Sequence, residues 1–304
     1  GITDIRPESA QAAAQTCKLP ADAVFPDASA MLAATRPDIA VISTTAPSHP
    51  TLAALSIEHG VKKILCENPL ATSIKACDDL IALAAAHKAD IAVNHQMRYM
   101  PQYTEPKALM QSDAFGGLQS IAVSTGNFGL SMNGTHYVEM MRFMFDEAPA
   151  SVSAWFDRGD VPNPRGPEFT DKAGVVVLRT ASGKTCTMHS CEGQGHGLIV
   201  TYAGRYGQIV VDELAGHMYI TRRDKAEDRA LPTTRYGQPS AIENRPIQGV
   251  DIIAATQDVL KALISGENYP SAADAALAVL AQAAAYASDA SGHAPQAVAD
   301  NTQN

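Results

Sequence analysis

At 304 residues the chain is long enough for about two domains of ordinary size, and 46% hydrophobic with 18% charged residues is a globular composition. A net charge of −9 without any lysine or arginine block argues against a nucleic-acid partner, and no apolar run reaches the ~18 residues a membrane span needs. Five scattered cysteines, Cys17, Cys66, Cys77, Cys186 and Cys191, set no disulfide framework and suit a reducing, cytoplasmic location.

From residue 1 to 97 short apolar runs alternate with alanine-rich amphipathic stretches. "GITDI" precedes "PESAQAAAQTC", "DIAVISTT" precedes "HPTLAALSIEHG", and "KKILCENP" precedes "SIKACDDLIALAAAHK"; "DIAVNHQM" closes the series. This is the βαβ rhythm of a parallel sheet covered by helices, an α/β Rossmann-type domain. The near-continuous apolar run Ile39 to Ile42 suits a strand buried on both faces.

The rhythm then changes. A helix over "PQYTEPKALMQSDAFGG" leads to the strand "LQSIAVSTGNF" and a helix around "THYVEMMRFMF". Strands follow at "ASVSAWFD", "GVVVLRT", "TCTMHSCE", "LIVTYAGR", "YGQIVVDEL" and "HMYITRR", with glycine-containing connections "ASGK", "GQGHG" and "GRYG" read as hairpins. Two late helices, near 251 to 265 and 271 to 288, complete an α+β domain with a largely antiparallel open sheet. The expected organisation is a first domain over 1–97, a second over 98–290 and a flexible tail over 291–304.

A doubly wound sheet holds a dinucleotide pyrophosphate at a glycine-rich turn after its first strand, with an acidic residue about 20 positions later. No G-x-G-x-x-G followed by a helix occurs, and "GITDI" reads as the second strand, with Asp4 at its end. The glycine loop and first strand are therefore expected upstream of Gly1, in roughly 30 further residues. Asp4 can accept hydrogen bonds from an adenosine ribose and repel a 2′-phosphate, which favours NAD over NADP; alternatively it caps the helix starting at Pro7. Arg6 beside it weakens the discrimination.

In this order and spacing, "AVISTTAPSHP", "ILCENPLATS", "NHQMRYMPQY" and "GTHYVEMMRF" resemble the glucose-fructose oxidoreductase, inositol dehydrogenase and MocA family of NAD(P)-dependent dehydrogenases. The likeness covers nearly the whole chain. It implies hydride transfer between nicotinamide and a sugar, polyol or related small molecule, and a homo-oligomer built through the second-domain sheet. It also implies that Thr44, Pro47 and His49 line the nicotinamide ribose, and that Glu67 and Pro69 shape a turn, often with a cis proline, beside the nicotinamide. Arg98 is implied near cofactor and substrate.

The family usually places lysine where this chain has Asn68, and an amide can orient a reacting hydroxyl but cannot carry its proton. Lys62 and Lys63 begin the same strand, some ~17 Å away, and offer no replacement. Proton exchange then falls to His136, which shares a helix face with Glu139, three residues on, where the family usually has aspartate. At a helix start the dipole favours a neutral imidazole, and Glu139 can orient it. A helix-capping histidine with a solvent-facing glutamate is the structural alternative. A His-x-x-Glu metal pair is a further one, without convincing additional ligands.

His49 can equally be a turn residue, and His95 either faces the cleft or is a satisfied core residue. Cys186, His189, Cys191 and His196 crowd one region, but Cys186 and Cys191 fall on opposite strand faces, so no metal site is expected. Loops carrying Arg165 and Tyr236 are candidates for substrate contact. Two other functions remain open because of Asn68: a cofactor- or sugar-binding protein without redox chemistry, and an NAD-assisted elimination or hydrolysis.

Overall fold

The structure is a computed structural model, and it describes residues 1–162, 166–167, 169–191, 193–194, 197–234 and 239–298. The chain divides into two compact units. The first is Gly1–Asn94 with Val259–Ala276, and the second is His95–Asp258 with Leu277–Asn304.

In the first unit, helices α1 (Pro7–Thr16) and α2 (Ala28–Thr35) precede β1 (Ile39–Ile42), α3 (His49–Glu58), β2 (Lys63–Cys66), α4 (Ile74–His87) and β3 (Asp90–Val93). The three strands are parallel in the order β1-β2-β3, in the register Ile39 to Lys63 to Asp90. Central β2 buries Ile64, Leu65 and Cys66 in succession, as a strand covered on both faces must. Ser73 caps α4 through the Ala76 amide, and Asp27 caps α2 through the Ala30 amide at 2.7 Å.

Three expectations change here. "GITDI" contributes a single parallel bridge, Ile2 to Val24, rather than a full strand. Helix α2 was not anticipated, because its eight residues are too few for a clear period. Residues 259–276 join the first unit instead of the second because they bond to its sheet. Lys63 Nζ donates to Leu263 O at 2.8 Å, Val93 N donates to Pro270 O, and Tyr269 Oη donates to Asp90.

The second unit contains α5 (Pro101–Met110), β4 (Leu118–Thr125), α6 (Thr135–Phe145), β5 (Pro149–Phe156), β6 (Gly174–Thr180), β7 (Thr185–Ser190), β8 (Leu198–Gly204), β9 (Gly207–Asp212) and β10 (His217–Arg222). Next come α7 (Ala226–Arg229), β11 (Ala241–Pro246), α8 (Ile252–Ser265), α9 (Ala272–Ala290) and β12 (Gln296–Ala297), with α8 from Val259 and α9 up to Ala276 assigned to the first unit. Nine strands run in the order β11-β10-β9-β8-β4-β7-β6-β5-β12, all antiparallel except β4 with β7.

The alternation of side chains divides this sheet cleanly. The register row Val152, Leu178, Cys186, Ile121, Tyr202, Ile209, Ile220 is wholly buried, in one core with Tyr103, Tyr137, Met141 and Met144 of α5 and α6. The next row on the opposite face, Ser153, Val177, Thr187, Ala122, Thr201, Val210, Tyr219, is uncharged and partly exposed throughout.

Because β4 lies between β7 and β8, these two strands do not pair as the hairpin expected at "GQGHG"; Gln194 Nε2 donates to Ser124 Oγ of β4 at 3.0 Å. "ASGK" and "GRYG" do join antiparallel neighbours. Within the expected tail, Val298 is buried and donates its amide to Ala150 O, and Gln296–Ala297 pair with β5.

Glu213, just after β9, is buried in this core and accepts the Tyr103 hydroxyl at 2.6 Å. Burial pushes its carboxyl up to about 7, partly offset by that hydrogen bond. A carboxyl whose pKa is raised by folding stabilises fully below its unfolded value and loses that contribution as pH rises through the folded one. Glu213→Gln, which keeps an acceptor for Tyr103, is expected to remove the loss, gaining about 2–3 kcal/mol on the wild type between pH 5 and pH 8 in urea unfolding. Parallel pH dependences of the two proteins would contradict a proton-binding Glu213.

Candidate functional site

In open parallel sheets, ligands bind beyond the carboxyl ends of the strands, and the first unit gathers its candidate residues there. Thr44 follows β1, Glu67, Asn68 and Pro69 follow β2, and Asn94 follows β3. The ladders continue one residue past the strands: Glu67 N donates to Ile42 O at 2.9 Å and Asn94 N to Cys66 O at 2.8 Å. Asn94 Nδ2 then donates to Glu67 Oε1 at 2.8 Å, fixing the carboxylate, and the Asn68–Pro69 peptide bond is cis.

His49 is 1% exposed, with Nδ1 2.7 Å from Pro69 O and Nε2 3.0 Å from Thr44 O. It ties the turn around Pro47 to the Asn68–Pro69 corner through backbone carbonyls. Thr44 Oγ1 and Ser48 Oγ, 2.7 Å apart, close the same turn.

A groove of about 520 Å³ between residues 1–4, α1, α2 and β1 has both Asp4 and Thr44 in its lining. Asp4 does not cap α1. Its Oδ1 accepts the Arg6 amide at 2.8 Å, and Arg6, the cap residue, provides no side-chain cap bond. Lys62 Nζ donates to His87 O and Lys63 Nζ to Leu263 O, so both are held at the opposite end of β2 from Asn68. The Cys66 thiol is pushed up to about 12 by burial and the neighbouring Glu67 charge, which leaves it without nucleophilic character at neutral pH.

The second unit holds the other candidates. A π-helical turn, Leu130–Gly134, runs directly into α6. Asp171, 1% exposed, accepts the Ser131 and Met132 amides, each at 2.8 Å, and so caps this turn with a charge. His136 is therefore more than a turn inside the continuous helical segment rather than at its start. Its imidazole is lowered to about 4 by burial. Its Nδ1 is buried without a hydrogen-bond partner among the described residues.

Glu139 is 4% exposed and does not meet His136. Its Oε1 accepts Arg98 Nη2 and Arg142 Nη2, the latter at 3.1 Å, and its Oε2 accepts Arg142 Nε at 2.8 Å. Arg98 is thus a brace between the 3₁₀ turn Gln96–Tyr99 and α6, and its guanidinium also lies 5.9 Å over the Phe143 ring. The ring beside His136 belongs instead to His95: the centroids are 5.5 Å apart and the planes meet at 72°.

Arg142 was open to detection as an i, i+3 partner of Glu139. Asp171, an isolated acid in a loop, carried no such signal. Arg165, Tyr236 and His196 lie outside the described residues.

Residues 1–95 match the oxidoreductase family with the NAD-binding Rossmann fold. The matched stretch contains "AVISTTAPSHP" and "ILCENPLATS", two of the motifs that carry the resemblance. The chain is 30% identical over 158 residues to inositol 2-dehydrogenase of Mycolicibacterium smegmatis, covering 48% of this chain and 45% of that protein. It is 26% identical over 223 residues to inositol 2-dehydrogenase of Acidothermus cellulolyticus, covering 68% and 62%. These matches span about half the length of the curated relatives. In fold, it superposes on levoglucosan dehydrogenase in complex with NADH and levoglucosan with a TM-score of 0.76 at 20% identity, covering 98% of this chain and 89% of the other.

Glu139→Gln removes the buried charge that Arg98 and Arg142 share, and is expected to destabilise the protein by about 3 kcal/mol in urea unfolding. A loss below about 1 kcal/mol would show that the arginines do not depend on it.

Proposed function

We propose that this protein is an NAD-dependent oxidoreductase that moves hydride between nicotinamide and a carbinol or carbonyl carbon of a sugar, polyol or sugar derivative. His136 carries the reading: its imidazole is neutral at physiological pH, and it sits on a helix braced by Asp171 and the Arg98–Glu139–Arg142 cluster. The names of the relatives, inositol 2-dehydrogenases among them, support a polyol substrate.

The first unit suits the cofactor. The carboxyl ends of β1 to β3 present Thr44, Pro47, Glu67 and cis Pro69, and Asp4 shares a groove with Thr44. Asp4 accepts the ribose hydroxyls and disfavours a 2′-phosphate, so NAD is preferred to NADP. When bound, the nicotinamide supplies the hydride acceptor.

His136 takes the hydroxyl proton as the carbinol hydrogen departs as hydride, leaving a carbonyl and an imidazolium. Asn68 hydrogen-bonds the reacting oxygen without exchanging its proton. Glu139 contributes indirectly, by fixing Arg98 and Arg142. His49 holds the Thr44 and Pro69 carbonyls in place.

A panel of polyols and sugars incubated with NAD should give reduced nicotinamide with at least one of them, and His136→Ala should lower kcat by at least ~100-fold. Near-normal turnover in that variant would remove His136 from the role. Asn68→Lys should raise turnover by restoring a proton carrier. Asn68 itself favours a second reading, a cofactor- or sugar-binding protein without redox activity. That protein would bind NAD or a sugar and never change the cofactor's redox state.

The uncharged, partly exposed row Ser153, Val177, Thr187, Ala122, Thr201, Val210 and Tyr219 on the open face of the nine-stranded sheet supports a homo-oligomer formed through it. Thr187→Arg combined with Val210→Lys is expected to convert the oligomer to monomer in size-exclusion chromatography with light scattering. An unchanged mass would exclude this face.

A further inference from the structure

We propose that His95 is the positioning residue of this site, fixing the ring plane of His136 by edge-to-face packing. The inference rests on the acid/base role proposed for His136 and deepens it.

An imidazole that exchanges a proton with substrate must hold one ring orientation, and hydrogen bonding at the second ring nitrogen is the usual means. His136 has no such restraint: its Nδ1 is buried without a hydrogen-bond partner among the described residues. The carboxylate placed to supply one, Glu139, gives both oxygens to Arg98 and Arg142.

The aromatic ring packed against His136 is that of His95. It is 1% exposed, its centroid lies 5.5 Å from that of His136, and the 72° interplanar angle is the edge-to-face arrangement aromatic pairs prefer. His95 is itself held, because it opens the 3₁₀ turn Gln96–Tyr99, which the Arg98–Glu139 pair fastens to α6.

The chemistry also favours His95 as a neutral neighbour. Burial, His136, Arg98 and Arg142 keep its imidazole well below the ordinary histidine range. A neutral ring packed against His136 tolerates the imidazolium formed during turnover, whereas a second charged ring would oppose it.

Two substitutions of similar bulk separate aromatic packing from simple filling of space. His95→Phe retains a ring and is expected to keep kcat within about threefold. His95→Leu retains burial without a π-face and is expected to lower kcat by about 10- to 100-fold, with the substrate KM little changed. Carbon-13 relaxation of the His136 ring gives a readout independent of catalysis: its order parameter should stay high in wild type and His95→Phe, and fall in His95→Leu.

A His95→Leu protein with wild-type kcat, or with an undiminished His136 order parameter, overturns the proposal. If no polyol or sugar is oxidised by the wild type, the functional reading fails, and the order parameter alone decides the role of His95.

Discussion

Burying the Glu139 carboxylate at 4% exposure requires cationic partners, and the chain supplies two, Arg98 from the 3₁₀ turn Gln96–Tyr99 and Arg142 from α6 itself. One carboxylate therefore fastens the turn carrying His95 to the helix carrying His136. A pair this enclosed gains little net stability over well-packed apolar residues, but it tolerates few alternative arrangements. Asp171 acts in the same sense at the other end, holding the π-helical turn by its Ser131 and Met132 amides. The placement of His136 thus depends on two buried carboxylates that do not touch it.

The first unit follows a different logic, in which backbone does most of the positioning. The ladders of β1, β2 and β3 extend through the Glu67 and Asn94 amides, and the Asn94 side chain returns to the Glu67 carboxylate. His49 adds a clasp between two backbone carbonyls at the same sheet edge. Side chains at 44, 47, 67, 68 and 69 are consequently presented by rigid elements, which suits a site that must bring reactive atoms into register.

The alternation of apolar strands and alanine-rich helices made the parallel sheet legible, and strict alternation in the later strands made the second sheet legible. Strand order was not: nothing local announces that β4 separates β7 from β8, so "GQGHG" looked like a hairpin. Helix α2 and strand β11 were missed because one is short and the other carries charges at alternate positions on a sheet edge. The helix that carries His136 was legible from its apolar period. Of the partners of Glu139, Arg142 was open to detection at i+3, whereas Arg98 lies 41 residues away in sequence. The helix-dipole reading of His136 failed because a π-helical turn, invisible to a period of 3.6, extends the helix backwards.

Burial keeps the His136 imidazole neutral, with a pKa lowered to about 4, which sets the pH range in which it could serve as the proposed acid/base group. The pH dependence of kcat/KM for a polyol that the protein oxidises reports the titration of the free protein's essential base. The predicted result is an acid limb falling only as pH approaches about 4 and disappearing with all activity in His136→Ala. An acid limb centred near the ordinary histidine value, 6.5, would contradict the account.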